Sequence, residues 1–411
     1  MHFAVKPKKS KESRRFDNGL WVLKGSRFMP ELPEVETVRR GLAPVLEGAV
    51  IDKVELRRRG LRLPFPPDLA EDLCGREVLA VGRRAKYLLI DLSGGQTLIS
   101  HLGMSGSWRV EEESRAGRAG LPAGSGAGAG ADNAGNRPES VAPLAGSAGV
   151  NKAENRPGPA VLPAGGKEGG TEKANPAGPL PVPVLLKHDH VILHVRRPVI
   201  ALSGRVPAAV LSHAGAIIAA AAPNSAAHAA GEQNFRLSYN DPRRFGFLLL
   251  VASAALATHP LLAGLGVEPL GKLLDGALLQ QIFAGKKAPL KAVLLDQHNI
   301  AGLGNIYVCE ALWRARLSPL RPAVSLAGSS KSAAKEAKDL AAAIRSVLAE
   351  ALQSGGSHLR NYVKTDGSFG LFQHRFQVYG REGEPCRRCG APIKRQVMSG
   401  RSSFYCAQCQ K

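Results

Sequence analysis

The chain lacks the features that would mark it as a membrane or secreted protein. No apolar run of roughly 18 or more residues occurs in its 411 residues, so no membrane-spanning helix is predicted. Residues 1–28 are basic but contain no apolar core of the kind that a secretory signal needs. Six cysteines are too few for a disulfide scaffold in a chain of this length, which favours a reducing compartment.

Acidic residues are scarce relative to basic ones. The chain has 34 Asp plus Glu against 55 Lys plus Arg, which gives a formal net charge of +21 at pH 7. Such an excess predicts a polyanionic partner, and nucleic acid and an anionic membrane surface are the two candidates. The length is sufficient for two or three domains that each have a core.

The sequence patterns change several times along the chain. From Pro33 apolar residues recur at helical spacing, and strand-like runs separated by glycine turns follow. Residues 113–184, an Ala/Gly/Pro-rich degenerate repeat, and the Ala-rich residues 204–232 interrupt this pattern, and we predict that both are disordered insertions. From about residue 271 the chain becomes helical, and it ends in short strands around cysteines.

The strongest single motif is formed by two cysteine pairs near the C-terminus. Two residues separate Cys386 from Cys389 and Cys406 from Cys409, and sixteen residues separate the pairs. Two tight turns that each offer two thiolates complete a tetrahedral all-sulfur site, which suits one zinc ion. Because four protein ligands leave no open position, we predict that this zinc is structural.

A glycine turn in "NIAGLGNIYVCEAL" indicates a phosphate site. Gly302 and Gly304 permit a tight turn before a helix that starts near Asn305, and free N–H groups at that helix start would bind a phosphate. An ordinary helix–helix turn is the alternative. Three nearby lysines favour the phosphate site: Lys286, Lys287 and Lys291.

Two loops could insert side chains into DNA. In "YNDPRRFGF" the neighbours Arg243 and Phe245 place charge and an aromatic ring at one loop tip, and "HLGMSG" offers Met104 as a second apolar tip. Such side chains can act as a wedge that fills a gap in the base stack. The structural alternative is a surface hairpin with a buried Phe and a Met in the core.

Taken together, eight motifs in this order resemble the bacterial formamidopyrimidine-DNA glycosylase family. They are "MPELPEVETVRRGL", "RRAKYLL", "HLGMSG", "KHDHV", "DPRRFG", "AGLGNIYVCEAL", "QVYGREGEPCRRCG" and "RSSFYCAQCQK". The resemblance implies an α+β multidomain fold with an N-terminal two-layered β-sandwich, flanking helices, a helix-two-turns-helix domain and a C-terminal zinc β-hairpin. The implied boundaries are 29–268 for the catalytic domain, 269–363 for the helical domain, 364–375 for a lesion-capping loop and 376–411 for the zinc hairpin.

The resemblance also implies a bifunctional DNA glycosylase and abasic-site lyase of base excision repair. It would remove oxidised purines, such as 8-oxoguanine and formamidopyrimidines, and then cut the strand by β,δ-elimination. Pro30 would be the nucleophile through a Schiff base, and Glu31 would donate a proton with support from Glu34. Lys86 would donate the proton in β-elimination, and Arg401 would do so in δ-elimination.

The resemblance extends to the DNA contacts and the cellular setting. The partner would be double-stranded DNA with oxidised purines or abasic sites, bound by a monomer in the cytoplasm at the nucleoid, with no membrane partner. The residues expected to contact or fill the DNA are His188, Arg243, Lys286, Lys291, Asn305, Met104 and Phe245.

Two other functions remain open, and both depend on details of the site. An endonuclease VIII type of glycosylase would prefer oxidised pyrimidines. A non-catalytic protein that binds damaged DNA would result if the N-terminus were blocked. In the printed chain Pro30 is joined to Met29 by a tertiary amide, whose nitrogen lone pair is delocalised. We therefore expect residues 1–28 to be a leader that is absent from the mature enzyme, with translation from Met29 favoured over cleavage.

Overall fold

The computed structural model describes residues 30–113, 185–198, 231–358 and 364–411. The expected leader and most of both expected insertions lie outside these residues. The predicted start of the first insertion and the predicted end of the second are wrong by at least one residue. Glu113 is the last residue of the strand Ser107–Glu113, and Glu232 is the first residue of the strand Glu232–Asn240.

The first helix, α1, spans Leu32–Leu46 and follows directly after Pro30 and Glu31. The Glu31 N–H donates to Glu34 Oε2 at 2.9 Å, as in a capping box, which satisfies one of the donors that a helix start leaves free. Val35, Val38 and Leu42 form the buried face, as their helical spacing predicts.

Two antiparallel four-stranded sheets form the N-terminal part of the fold. The strands of the first sheet are, in spatial order, β1 (Val50–Leu56), β6 (Asp189–Pro198), β7 (Glu232–Asn240) and β5 (Ser107–Glu113). Those of the second sheet are β2 (Val78–Arg84), β3 (Tyr87–Leu92), β4 (Gln96–His101) and β8 (Phe247–Ala252). One core of buried side chains is common to both sheets and α1, and it includes Trp108 packed edge-on against Tyr239 at 5.2 Å. The predicted β-sandwich is therefore confirmed. A short helix, α2 (Leu69–Leu73), lies between β1 and β2 along the chain.

A second core belongs to a helical region. Its helices are α3 (Gly276–Phe283), α4 (Leu290–Leu295), α5 (Asn305–Arg314) and α6 (Lys331–Gln353). The predicted helical stretch begins with two separate helices, α3 and α4, and Gly285 between them takes a φ of +70°. The start of α5 agrees with the prediction. None of the helices that the structure describes combines the length and the apolar character needed to span a bilayer.

A two-stranded hairpin, β9 (Lys394–Met398) and β10 (Arg401–Tyr405), follows near the C-terminus. Its turn is formed by Ser399 and Gly400, both with positive φ, as two-residue hairpin turns require. Cys386, Ile393 and Cys406 from this region are buried in the same core as the helices. The hairpin is thus fixed against the helical region, and its first residue on β10 is Arg401.

Candidate active site

The glycine turn before α5 receives the start of α1. The Leu32 N–H donates to Gly302 O at 3.1 Å, and the Ile306 N–H donates to Glu31 Oε1 at 3.0 Å. A Cβ built on Gly304 would lie only 2.1 Å from Cδ of Glu31, so glycine leaves the space that the carboxyl occupies. The N–H of Ile306, which we expected to be free for a phosphate, is therefore occupied by Glu31.

Glu31 combines deep burial with one unused oxygen. Its Oε2 has no hydrogen-bond partner among the described residues, and the residue is only 4% exposed. Burial raises the pKa of this carboxyl, against the lowering effect of Lys86 and of the N–H groups of Ile306 and Tyr307. A carboxyl in this setting keeps its proton to higher pH than an exposed glutamate does.

Glu34 is held by groups from the helical region. Its Oε1 accepts from the Tyr307 hydroxyl at 2.5 Å and from the Ser357 N–H at 2.8 Å. Burial and the adjacent Glu31 raise the pKa of Glu34 to about 7. We did not predict Tyr307 or Ser357 from the sequence, and the one available signal was the place of Tyr307 two residues into the helix after the glycine turn.

Lys86 lies in the turn between β2 and β3, immediately before the apolar strand β3. The side chain is buried at 7% exposure. Burial lowers the pKa of its ammonium group, an effect that Glu31 opposes and Arg401 reinforces. A cavity of about 130 Å³ lies beside it, lined in part by Tyr87, His101, Leu265 and Gln297.

The zinc hairpin brings Arg401 to the same place. Arg401 is close enough to Glu31 and Lys86 to affect the pKa of both. The next carbonyl, that of Ser402, accepts from Asn305 Nδ2 and from Lys291 Nζ, each at 3.0 Å. These two bonds fix the start of β10 against the helical region.

Lys291 requires a correction. We expected it to contact DNA at the surface, but its side chain is 1% exposed. Its Nζ donates to Ser402 O and, at 2.6 Å, to Ser403 Oγ. The ammonium is turned inward because the hairpin supplies the oxygen acceptors that a buried lysine needs.

The two expected wedge loops contact one another through Asp241. Its Oδ1 accepts from the Ser105 hydroxyl at 2.5 Å, and its Oδ2 accepts from the Gly246 N–H at 2.8 Å. Arg243 is exposed, with its guanidinium carbon 5.1 Å from the ring centre of the half-buried Phe245. Met104, expected as an exposed tip, is instead 5% exposed.

Three further residues were expected to contact DNA, namely His188, Lys286 and Asn305. His188 is half-buried, and its carbonyl accepts from the N–H of Asp241. Lys286 Nζ donates to Asn299 Oδ1 at 2.9 Å, while Oδ1 of Asn305 is buried without a partner in the described structure. Their contacts with DNA stay predictions.

Two exposed apolar side chains mark the expected capping loop. Phe369 and Leu371 are 54% and 59% exposed, and the Phe369 ring lies 4.2 Å from the ring of His358. Gly367 has a φ of +83°, which favours glycine.

The four predicted zinc ligands come together. The sulfur atoms of Cys386, Cys389, Cys406 and Cys409 all lie within 4.8 Å of one another. Sulfurs around a tetrahedral zinc are separated by roughly 3.8 Å, given Zn–S bonds of about 2.3 Å, so the cluster fits one structural zinc.

Comparison with known proteins agrees with this architecture. The models of three families match: the formamidopyrimidine-DNA glycosylase N-terminal domain at residues 29–124, the formamidopyrimidine-DNA glycosylase H2TH domain at 265–363, and a zinc finger found in FPG and IleRS at 383–411. The formamidopyrimidine-DNA glycosylase of Bartonella henselae is 45% identical over 383 residues, which are 93% of this chain and 100% of that protein. The chain belongs to the formamidopyrimidine-DNA glycosylase family. It is a DNA glycosylase of base excision repair, with a structural zinc in its finger.

Other relatives and solved structures are consistent with this family. The formamidopyrimidine-DNA glycosylase of Chelativorans sp. is 46% identical over 385 residues, which are 93% of this chain and 100% of that protein. The structure of MutM (FPG) from Thermus thermophilus has a TM-score of 0.58 and 32% identity, covering 93% of this chain and 98% of that one. A Lactococcus lactis FPG mutant with a Fapy-dG containing DNA has a TM-score of 0.60 and 26% identity, covering 93% and 100%. The exact domain boundaries stay predictions.

Proposed function

We propose that this glycosylase removes oxidised purines, including 8-oxoguanine and formamidopyrimidines, from double-stranded DNA and then cuts the strand at the abasic site. The observation that carries the proposal is the convergence of distant segments on the Glu31 carboxyl. Glu34 and Ile306 hydrogen-bond to residue 31, while Lys86 and Arg401 act on its charge. The target base has to leave the helix stack to reach such a buried group.

The first step is displacement of the base. The Pro30 nitrogen attacks C1′ of the deoxyribose, the bond from C1′ to the base breaks, and the base leaves with a proton. Glu31 suits the role of proton donor because its pKa is raised and its Oε2 has no partner among the described residues. At this stage C1′ carries both the Pro30 nitrogen and the ring oxygen O4′. The nitrogen gives up its proton, O4′ takes up a proton and the C1′–O4′ bond breaks, which opens the sugar and leaves an iminium between Pro30 and C1′.

The second step is strand cutting. The positively charged iminium acidifies the C2′ proton, so loss of that proton expels the 3′ phosphate, and a further elimination expels the 5′ phosphate. Lys86, whose pKa burial lowers, is suited to exchange protons in β-elimination. Arg401 lies near Glu31 and Lys86 and would donate the proton in δ-elimination.

The nitrogen of Pro30 decides which form is active. An amide nitrogen cannot attack C1′, so we propose that the active enzyme begins at Pro30. A match of the family model that starts at Met29 supports this proposal. With a free amine of pKa near 8, roughly a tenth of the molecules are unprotonated at pH 7.

Substrate preference tests the proposal. Protein that begins at Pro30 is mixed in excess with duplexes that contain 8-oxoguanine, a formamidopyrimidine or thymine glycol, and base release is measured in a single turnover. We expect the two oxidised purines to be released faster. Faster release of thymine glycol would favour the oxidised-pyrimidine alternative. That alternative has structural support, since one solved Lactococcus lactis FPG complex holds an oxidised pyrimidine containing DNA.

The setting of the reaction is also part of the proposal. We expect a monomer that works on DNA at the nucleoid in the cytoplasm, which sedimentation with and without a lesion duplex would test. If residues 1–28 remain attached, binding of damaged DNA without covalent chemistry is the expected residual function.

A further inference from the structure

The turn that carries Lys86 has an unusual backbone. Only Ala85 and Lys86 connect β2 to β3, because Arg84 pairs directly with Tyr87 across the hairpin. Ala85 has a φ of +53°, which lies in the left-handed region. Two-residue hairpin turns usually place glycine at such a position, because a Cβ makes the left-handed conformation unfavourable. Something outside the turn must therefore hold Ala85 in place.

The carboxylate of Glu268 supplies that restraint. Its Oε1 accepts from the Ala85 N–H at 2.6 Å and from Arg84 Nη1 at 3.0 Å. Its Oε2 accepts from Arg83 Nη2 at 2.9 Å, and Arg83 Nη1 in turn donates to Ala85 O at 2.8 Å. Both polar backbone groups of Ala85 are thus bound by side chains that meet at Glu268.

These bonds fix the peptide group from which Lys86 continues. The carbonyl of Ala85 belongs to the peptide bond between Ala85 and Lys86, so holding that carbonyl sets the direction of Lys86. Side-chain packing alone gives a weaker restraint here, because the cavity of about 130 Å³ adjoins Lys86. On another side the turn contacts the glycine turn, where a Cβ on Gly302 would lie 3.3 Å from the Cα of Ala85.

We propose that Glu268 is a positioning residue for Lys86: its carboxylate holds Ala85 in the left-handed conformation and so aims the lysine at the reacting sugar. The proposal rests on the proposed function, in which Lys86 exchanges protons with the substrate. Glu268 itself lies about 180 residues further along the chain, where the sandwich passes into the helical region. It makes none of the contacts with Glu31 described above.

The first test is Glu268→Gln in protein that begins at Pro30. The amide keeps one acceptor oxygen, so the variant loses either the bonds from the Ala85 N–H and Arg84 Nη1 or the bond from Arg83 Nη2. Cutting of a preformed abasic site in a single turnover should slow by roughly tenfold to a hundredfold, since small displacements of a reacting group have effects of that size. The dissociation constant for lesion DNA, measured separately, should stay within about twofold because no DNA contact is removed.

The second test is rescue. In the double variant Glu268→Gln with Ala85→Gly, glycine adopts the left-handed conformation without the carboxylate. The double variant should recover most of the lost rate, which a general loss of stability would not allow. A matched control is Glu350→Gln, which removes another arginine-bound carboxylate, held by Arg314 on α5. This control should keep the parent rate.

Several results would overturn the inference. A parent rate of abasic-site cutting for Glu268→Gln would show that the carboxylate does not position Lys86. An equal loss of rate in Glu268→Gln and in the double variant with Ala85→Gly would show that Glu268 does not act through the conformation of Ala85. If Glu268→Gln does not fold, Glu268→Asp, which keeps the charge but shortens the reach, takes its place with the same expectations. A parent protein that cuts abasic sites but leaves 8-oxoguanine in place would instead overturn the proposed substrate, while the abasic-site assay still tests Glu268.

Discussion

Replacing Gly304 by alanine should displace Glu31 without disturbing the turn that holds it. The φ of Gly304 is −128°, which alanine adopts readily, so the backbone has no reason to change. The added Cβ would lie 2.1 Å from Cδ of Glu31 and 2.5 Å from both of its oxygens. Ordinary carbon contacts are about 3.5–4.0 Å, so the carboxyl has to retreat by more than about 1 Å.

The retreat has two consequences of different size. It breaks the bond from the Ile306 N–H to Glu31, and a buried N–H without a partner costs about 1–3 kcal/mol of stability. It also removes the proton donor from the leaving base, and a positioned acid contributes roughly 10² to 10⁴ in rate. We therefore expect a folded variant with a moderately lower melting temperature and a large loss of base release.

The assay compares two substrates in single turnover. Release of 8-oxoguanine by Gly304→Ala should fall at least roughly a hundredfold, whereas cutting of a preformed abasic site should fall far less because no base has to be protonated. Gly328→Ala is the matched control, since a Cβ there meets only Ala333 Cβ at an ordinary 4.0 Å. Parent rates of 8-oxoguanine release by Gly304→Ala, or an equal loss in Gly328→Ala, would refute the role assigned to Glu31.

Three further predictions concern the hairpin, the metal and pH. Lys291→Met removes both bonds to the hairpin, so the free energy of unfolding in urea should fall by about 2–4 kcal/mol. The ratio of δ- to β-elimination product should also fall, because these bonds hold the strand that carries Arg401. The dependence of DNA affinity on salt concentration should stay unchanged, because a buried lysine contacts no phosphate. Metal analysis should find about one zinc per chain, and Cys406→Ser should lose both zinc and DNA binding; zinc-free protein that still binds DNA would contradict this. Because burial raises the pKa of Glu34 from 4.5 to about 7, its contribution to stability is complete below pH 4.5 and is lost as the pH rises through 7. Over this range the parent should lose about 3 kcal/mol more unfolding free energy than Glu34→Gln loses.

The sequence motifs were sufficient to predict the sandwich, the helical region, the hairpin and the group of Glu31, Lys86 and Arg401. The motifs could not show which other side chains and backbone groups hold the site residues in place. Tyr307 and Ser357 lie 273 and 323 residues from Glu34, so no local pattern connects them. Both glycines of the turn are apparent in the sequence. The reason for glycine at position 304 is that the carboxyl of Glu31 occupies the space of a Cβ, and this is apparent only in the folded structure.

Lys291 shows the limit of reasoning from charge. A lysine within a basic cluster usually lies at the surface, because burying an ammonium without acceptors is expensive. Here a hairpin 111 residues further on provides a carbonyl and a hydroxyl, which makes burial possible. Glu268 was overlooked for a related reason, although the alanine in the tight turn of "RRAKYLL" could have indicated that a distant group restrains it.

The most direct measurement of the central claim is borohydride trapping followed by mass mapping of the cross-linked residue. Two proteins are compared on 8-oxoguanine DNA: one that begins at Pro30, and the 411-residue chain with its leader shown intact by mass. We expect a cross-link at Pro30 in the first and none at Pro30 in the second, because an amide nitrogen cannot form the iminium. A cross-link at Pro30 in the intact 411-residue chain, or at another residue in the protein that begins at Pro30, would contradict it.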